Sequence, residues 1–353
     1  MQKHKTKDVS IQESVPPEIT TDAQTCNTAA QQTAKEKSRV ATLSVISNSC
    51  LTTSKLIVGF LSGSVSIFSE GIHSGIDLLA ACIALFAVKQ SAKPADSRHA
   101  YGHGKFENLA GTIEALLIFI AVVFIVNEAV QKIFHIITGN SGEVGDLALS
   151  LGLIVMGGSA VVNIVVSTLL MRVAKRTDSV ALEADAMHLR TDVYTSAGVF
   201  FALLIIRFTG WHILDPIIAL FVAALILKAA YDLLKKAFFP LVDISLPKEE
   251  TQIITEVLAL HDDKFVEFHD LRTRKAGADR HVDLHLVVPK FMSVAQMHEV
   301  CDEIEFDISK RLRSTHILIH AEPCSIDNKQ CPYETGSSDS CQHCNSQPQS
   351  MVE

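Results

Sequence analysis

Aromatic residues are scarce: one tryptophan, four tyrosines and 17 phenylalanines make up 6% of a 353-residue chain that is 48% hydrophobic. The apolar content is therefore mostly aliphatic, and a mean hydropathy of +0.26 is too high for an ordinary soluble protein. A polytopic membrane protein with soluble ends fits this composition. Net positive charge is lacking as well. The formal charge of −8 excludes the basic footprint of a nucleic-acid binder. Residues 1–38, rich in Thr, Gln, Lys and Glu, lack the apolar core of a cleavable signal peptide and read as a disordered cytoplasmic leader. The His-Glu-x-x-His of a helical metalloprotease is missing too: the nearest text, His298-Glu-Val-Cys-Asp302, has no second histidine, so no enzyme is expected.

What the chain does contain is a series of apolar runs, near 39–62, 65–90, 106–130, 147–171, 179–206 and 212–233. Each is long enough to cross about 30 Å of hydrocarbon as a helix rising 1.5 Å per residue. They define a six-helix transmembrane domain over 39–236. Lys35, Lys37, Arg39, Lys89, Lys93, Arg98, Lys105, Arg172, Lys175, Arg176, Lys235 and Lys236 all fall on one side, against Lys132 and Arg207 on the other. The positive-inside rule then puts both termini in the cytoplasm of a cell whose inner membrane holds the protein. Lys55, within the first run, reads as a lysine that snorkels or pairs locally.

Two of these runs carry the same polar pattern. Glu70-Gly-Ile-His73-Ser-Gly-Ile-Asp77 and Asp185-Ala-Met-His188-Leu-Arg-Thr-Asp192 each place an acid, a histidine and an aspartate three, four and seven residues apart, on one helix face. Ionisable groups are costly at membrane depth, so a repeated set marks a functional site. The second and fifth spans run antiparallel, with both motifs about 12–20 Å deep from their nearer ends. Facing helices of this kind would offer two nitrogens and two oxygens, a tetrahedral set suited to zinc.

Beyond a linker over 237–246, the segment 247–325 changes pattern. The order αββαβ predicts a small ferredoxin-like α+β domain with helices on one face of a sheet. Its core is modest, and dimerisation would add buried surface. The tail 326–353 is polar and without periodicity. Four of the eight cysteines, Cys324, Cys331, Cys341 and Cys344, lie near the C-terminus, which fits a reducing compartment. They read either as inert thiols or as a soft-metal or redox-responsive cluster whose spacing fits no standard finger.

Together these pieces resemble the cation diffusion facilitator family, zinc and related divalent-metal/proton antiporters, in its bacterial zinc-efflux form. The resemblance rests on Ser64-Val-Ser66 leading into His73-Ser-Gly-Ile-Asp77, on His99-Ala-Tyr-Gly-His103-Gly-Lys105-Phe-Glu107, and on Ala184-Asp-Ala-Met-His188-Leu-Arg-Thr-Asp192. Asp215-Pro216, His269-Asp-Leu-Arg-Thr-Arg274 and Ile319-His320-Ala-Glu-Pro323 complete it. It implies that His73, Asp77, His188 and Asp192 form the transport site. Glu70 and Asp185 are then supporting or entry-path groups. Asp96, His99 and His103 would form a second metal site in a loop, whose alternative reading is a solvated loop near lipid headgroups.

His269, His285, His298, His320 and Glu322 would hold two cytoplasmic metals across a homodimer, with Glu322 standing where a shorter aspartate is usual. Lys105 and Asp243 would pair the membrane and soluble domains. His281 and His316 match nothing in the family pattern. The implied function is export of divalent metal, Zn²⁺ first, driven by H⁺ as the coupling ion. The alternatives are an antiporter for Co²⁺, Cd²⁺, Fe²⁺ or Ni²⁺, or a membrane-anchored metal sensor or scaffold that does not transport.

Overall fold

A computed structural model describes residues 17–62, 65–138, 146–209 and 214–324. Six long helices come first: α1 (Pro17–Ser62), α2 (Val65–Ser91), α3 (Lys105–Thr138), α4 (Asp146–Thr177), α5 (Val180–Thr209) and α6 (Leu214–Phe238). Five of them are long and apolar enough to count as membrane spans among the described residues. The first half of the remaining helix, α5, holds Glu183, Asp185, His188, Arg190 and Asp192.

Helix α1 begins at Pro17, so residues 17–38, expected to be disordered leader, are helical. The physical reason is local: apart from Thr33, residues 29–37 are all Ala, Gln, Lys or Glu, good helix formers that extend the helix back from the apolar run. Residues 1–16, the segments 63–64, 139–145 and 210–213 between the helices, and the tail beyond Cys324 lie outside the described residues.

The α4–α5 connection is only two residues long. Asp178 takes a left-handed conformation, φ 51°, and the Ser179 amide closes the end of α4 by donating to the Ala174 carbonyl at 3.0 Å. This places α5 antiparallel to α4. Inside the bundle the helices approach over small residues: Ala115, Ala184, Ala223 and Ala230 are buried where α3, α5 and α6 meet, and Ala87, Ala110, Ala174, Ala181 and Ala186 where α2 to α5 meet. Such positions let helix backbones come close in the absence of a hydrophobic drive between them. Leu109, Leu116, Ile120, Val123 and Phe124 of α3 face outward, as lipid contact requires.

The inner face of α1 departs from this. Lys37, Ala41, Ser44, Asn48, Thr52 and Lys55 recur every three or four residues and all are buried, so the stripe turned into the bundle is mainly polar. Lys55 does not snorkel: its ammonium donates to Ser74 Oγ of α2 at 2.7 Å. Thr52 Oγ1 donates to the Ser74 carbonyl at 2.8 Å. Lys37 Nζ meets Glu107 of α3 at 3.0 Å, and Glu107 also accepts from Ser91 and Ser179. Three helices and the α4–α5 connection are tied together at this end by one buried carboxylate.

After a short 3-10 turn (Phe239–Val242) the soluble domain follows the predicted order: α7 (Lys248–Leu260), β1 (Glu267–Ala276), β2 (Asp279–Val288), α8 (Val294–Arg311) and β3 (Thr315–Pro323). Ser293 caps α8 in a capping box with Gln296, which fixes its start. The strands lie in the order β1-β2-β3, the first pair antiparallel and the second parallel. Val282, Leu284, Leu286 and Val288 of β2 pack against Ile254, Val257 and Leu258 of α7 and Ile304 and Ile308 of α8. The odd-numbered residues of β2, among them His281 and His285, therefore point to the opposite face.

The β1–β2 turn docks on the membrane domain. The Gly277 amide donates to Asn108 Oδ1 of α3 at 2.6 Å. Gly104, at the entrance to α3, lies so close that a Cβ there would be 2.2 Å from the Ala276 carbonyl oxygen. Lys275 and Arg280 both pair with Asp178 of the α4–α5 turn, at 2.5 and 3.1 Å. Lys105 and Asp243 meet at 2.9 Å, and Arg274 reaches the same carboxylate at 3.6 Å.

Candidate metal sites

The two intramembrane motifs face each other. His188 of α5 and Asp77 of α2 are both buried, 5% exposed each, and His188 Nε2 lies 3.0 Å from Asp77 Oδ1. The antiparallel arrangement thus brings the two motifs to one depth. Asp192, one turn beyond His188, is half-buried and accepts from Asn163 Nδ2 of α4 at 3.5 Å. His73 and Glu70 lie on α2, and their side chains fall outside the described residues. An imidazole nitrogen in contact with a carboxylate oxygen is a pair that a proton or a divalent ion can bridge. The same two atoms serve both.

Asp185 is fully buried one turn before His188. It makes no hydrogen bond to a metal-motif residue, and neither of its oxygens has a partner.

The loop between α2 and α3 gathers Asp96, His99 and His103, with one donor atom of each within 4.8 Å of the others. Asp96 Oδ1 accepts from the amides of His99 and Arg98 at 2.7 and 2.8 Å. Those backbone donors hold its carboxyl below the usual carboxylate range, so an anionic oxygen is available to a cation. His99 Nδ1 and His103 Nε2 approach this carboxylate at 3.3 and 3.4 Å. His103 is buried and its Nδ1 has no partner.

The sheet register builds the third cluster. His269 of β1 is opposite His285 of β2, and His285 is opposite His320 of β3, so three histidines form one row on the face away from the helices. Their rings are 5.2 and 4.8 Å apart. Glu322, two residues beyond His320, comes within 2.9 Å of His285 and 3.5 Å of His269. His269, His285 and Glu322 present donor atoms within 4.8 Å of one another, so the longer glutamate arm does reach the cluster. His298 stands apart on α8, its side chain 74% exposed and 3.8 Å from Asp302. Within one protomer it does not join the other ligands.

Higher on the same sheet face is a second row. His281 and His316 are paired in register and stacked at 5.2 Å, and Tyr101 of the α2–α3 loop packs edge-on against His281 at 5.6 Å. Arg274 covers the other side of that tyrosine, 4.6 Å from its centroid. Period-two alternation along β2 and β3 holds the signal for this pair, since His281 and His285 are four apart, as are His316 and His320. The α1 stripe was legible in the same way, from its spacing of three and four. Cys324 is buried at the end of β3, and Cys331, Cys341 and Cys344 lie outside the described residues.

Comparison with known proteins gives two family matches: a cation efflux transmembrane domain over residues 41–242 and a cation efflux protein cytoplasmic domain over residues 246–324. A transporter of Synechocystis sp. is 36% identical over 263 residues, covering 74% of this chain and 83% of its own length. The cation-efflux pump FieF of Citrobacter koseri is 31% identical over 290 residues, 82% of this chain and 93% of the pump. The solved structure of CzrB aligns with 23% of this chain and 99% of its own, at 34% identity and a TM-score of 0.22.

Proposed function

The chain belongs to the cation efflux family of membrane transporters, and from that premise we propose that it exports Zn²⁺ from the cytoplasm in exchange for protons. The observation that carries this reading is the 3.0 Å contact between His188 and Asp77, which joins the second and fifth helices at buried ligand groups. With His73 and Asp192 these residues form the transport site. Two imidazoles and two carboxylates favour Zn²⁺ over hard ions such as Mg²⁺ and Ca²⁺.

Neutral histidine and ionised aspartate take the metal from the cytoplasmic side. The bundle then reorients, and on the far side protons compete for the same nitrogens and oxygens and release the metal. An ordinary imidazole titrates at about 6.5, near the working pH. Helices α2 and α5 move as one unit, while α3, which packs closely on α6, stays by the axis of a homodimer. The cytoplasmic domain, whose family counterpart is a dimer module, holds two resident zinc ions. His269, His285, His320 and Glu322 supply ligands, and His298 joins them across the dimer. Asp96, His99 and His103 bind a further metal near the membrane surface, and Lys105 and Asp243 link the two domains.

Purified protein in liposomes loaded with a zinc indicator tests the reading. An imposed pH gradient is expected to drive Zn²⁺ against the proton flow, and reversing the gradient to reverse it. Zinc movement that ignores the gradient would rule out antiport. The same assay with Co²⁺, Cd²⁺, Fe²⁺, Ni²⁺ and Mn²⁺ ranks the metals.

A further inference from the structure

Glu114 lies in the first third of α3, nine residues from its start at Lys105, and has no part in any of the three metal clusters. Its side chain is completely buried, as is that of Asp185 on α5. All four of their carboxyl oxygens are enclosed and without a hydrogen-bond partner. On the same two helices Ala110 and Ala115 of α3 and Ala184, Ala186 and Leu189 of α5 are buried in the apolar core. The Ser44 hydroxyl of α1 is the polar group that acts on Asp185, and it accepts from Asn48 at 3.5 Å.

Two bare carboxylates cannot both stay ionised in such a place. Each charge would be desolvated with at most the Ser44 hydroxyl beside one of them to offset it, and the two would repel each other. Asp185 lies within electrostatic reach of Glu114 and, after the nearer Asp77 and Asp192, of His188, which acts on it in turn. Helices α2 and α6 also pack on α3. On α6, Lys228, Asp232, Lys235 and Lys236 point outward, as does Lys89 on α2. Asp77 of α2 is engaged by His188.

We propose that Glu114 is a proton-binding site, coupled through Asp185 to the transport site, and that its proton leaves when a divalent cation binds. This rests on the antiport reading for its purpose. On metal entry the O–H bond of the Glu114 carboxyl breaks, the proton passes to water on the cytoplasmic side, and the carboxylate that remains sits in the field of the metal. On metal release to the far side, Glu114 takes a proton back from that side. The polar stripe of α1, with Ser44 beside Asp185 and Asn48 one turn on, is the hydrophilic path next to the pair. One proton is thereby carried inward for each cation carried outward, in addition to any exchanged at the ligands.

Difference infrared spectroscopy of the full-length protein in nanodiscs, with and without Zn²⁺, reads the proton directly. The wild type is expected to show a protonated-carboxyl carbonyl band that disappears on zinc addition. The band is absent from Glu114→Gln, an isosteric change that keeps a neutral side chain in the buried site. Calorimetry in buffers of different ionisation enthalpy should find about one proton fewer released per Zn²⁺ in Glu114→Gln than in the wild type. No zinc-sensitive band in the wild type overturns the proposal, whatever the variant does, and so does the same proton release in both proteins. Neither readout needs a gradient. A zinc-sensitive Glu114 band in a protein whose zinc flux ignores pH would therefore uphold the proton site and reject antiport. Gradient-driven flux with equal proton release in both proteins would do the reverse.

Discussion

His188 Nε2 and Asp77 Oδ1 stand 3.0 Å apart across the contact between α5 and α2, and both side chains are buried. A contact this short between an imidazole and a carboxylate needs a shared proton or a shared cation to be favourable at depth. The competition between those two ligands for one pair of atoms is the chemistry on which the transport account is built.

Zinc should stabilise the cytoplasmic domain through the histidine row. With zinc at about a hundred times its dissociation constant, the wild type gains about 2.7 kcal/mol from a single site. His285→Ala, which removes the middle histidine, is expected to lose that gain. His298→Ala should lose less within a protomer, because His298 stands apart from the cluster. Thermal unfolding of the domain in the intact protein, with and without zinc, measures both.

Charge reversal at the domain junction should be asymmetric. Lys105 and Asp243 are both well exposed, so the pair itself contributes only about 0.2–1 kcal/mol. Asp243 also faces Arg274, and the Lys105 and Arg274 cations hold its carboxyl below the usual range. Asp243→Lys gathers three cations, whereas Lys105→Asp leaves Arg274 as a counter-charge. Zinc flux should fall further in Asp243→Lys, and the double reversal should recover it only in part. Flux assays on the three variants check the order.

Gly104→Ala should lift the β1–β2 turn from the membrane domain. The new Cβ would meet the Ala276 carbonyl, which is backbone and has no rotamer to yield. Overpacking of this kind costs roughly 1–3 kcal/mol. Faster hydrogen exchange at the Gly277 amide, which now donates to Asn108, is the expected signature.

Much of this was legible in the sequence, and the reasons for the rest are physical. A histidine and an aspartate four apart, repeated on two apolar runs, can only share a helix face, so the His188–Asp77 meeting followed from periodicity and topology. The αββαβ order followed from alternation. What no local pattern could tell was register: His269, His285 and His320 are far apart in the chain, and only strand pairing puts them in one row. Glu114 was missed because a single acid in an apolar run carries no spacing signal. The start of α1 was missed because a polar but helix-favouring stretch was read by its hydropathy alone.

Acidification should weaken the contact between the α2–α3 loop and the sheet. Burial first, then the Arg274 and His316 charges, push His281 down to about 4, with Asp283 and Asp243 opposing. The unfolded imidazole titrates at about 6.5. Between those values the unfolded chain binds more protons, so stability is intact above about 6.5 and is lost as pH falls toward 4. Hydrogen exchange at β2 across this range should rise on acidification, and His281→Gln should flatten that rise.

Zinc flux in proteoliposomes under an imposed pH gradient, comparing the wild type with Asp77→Ala and Asp192→Ala, tests the transport site most directly. The account predicts that gradient-driven flux falls to the protein-free background in both variants while each still assembles. Flux equal to that of the wild type in both would contradict it.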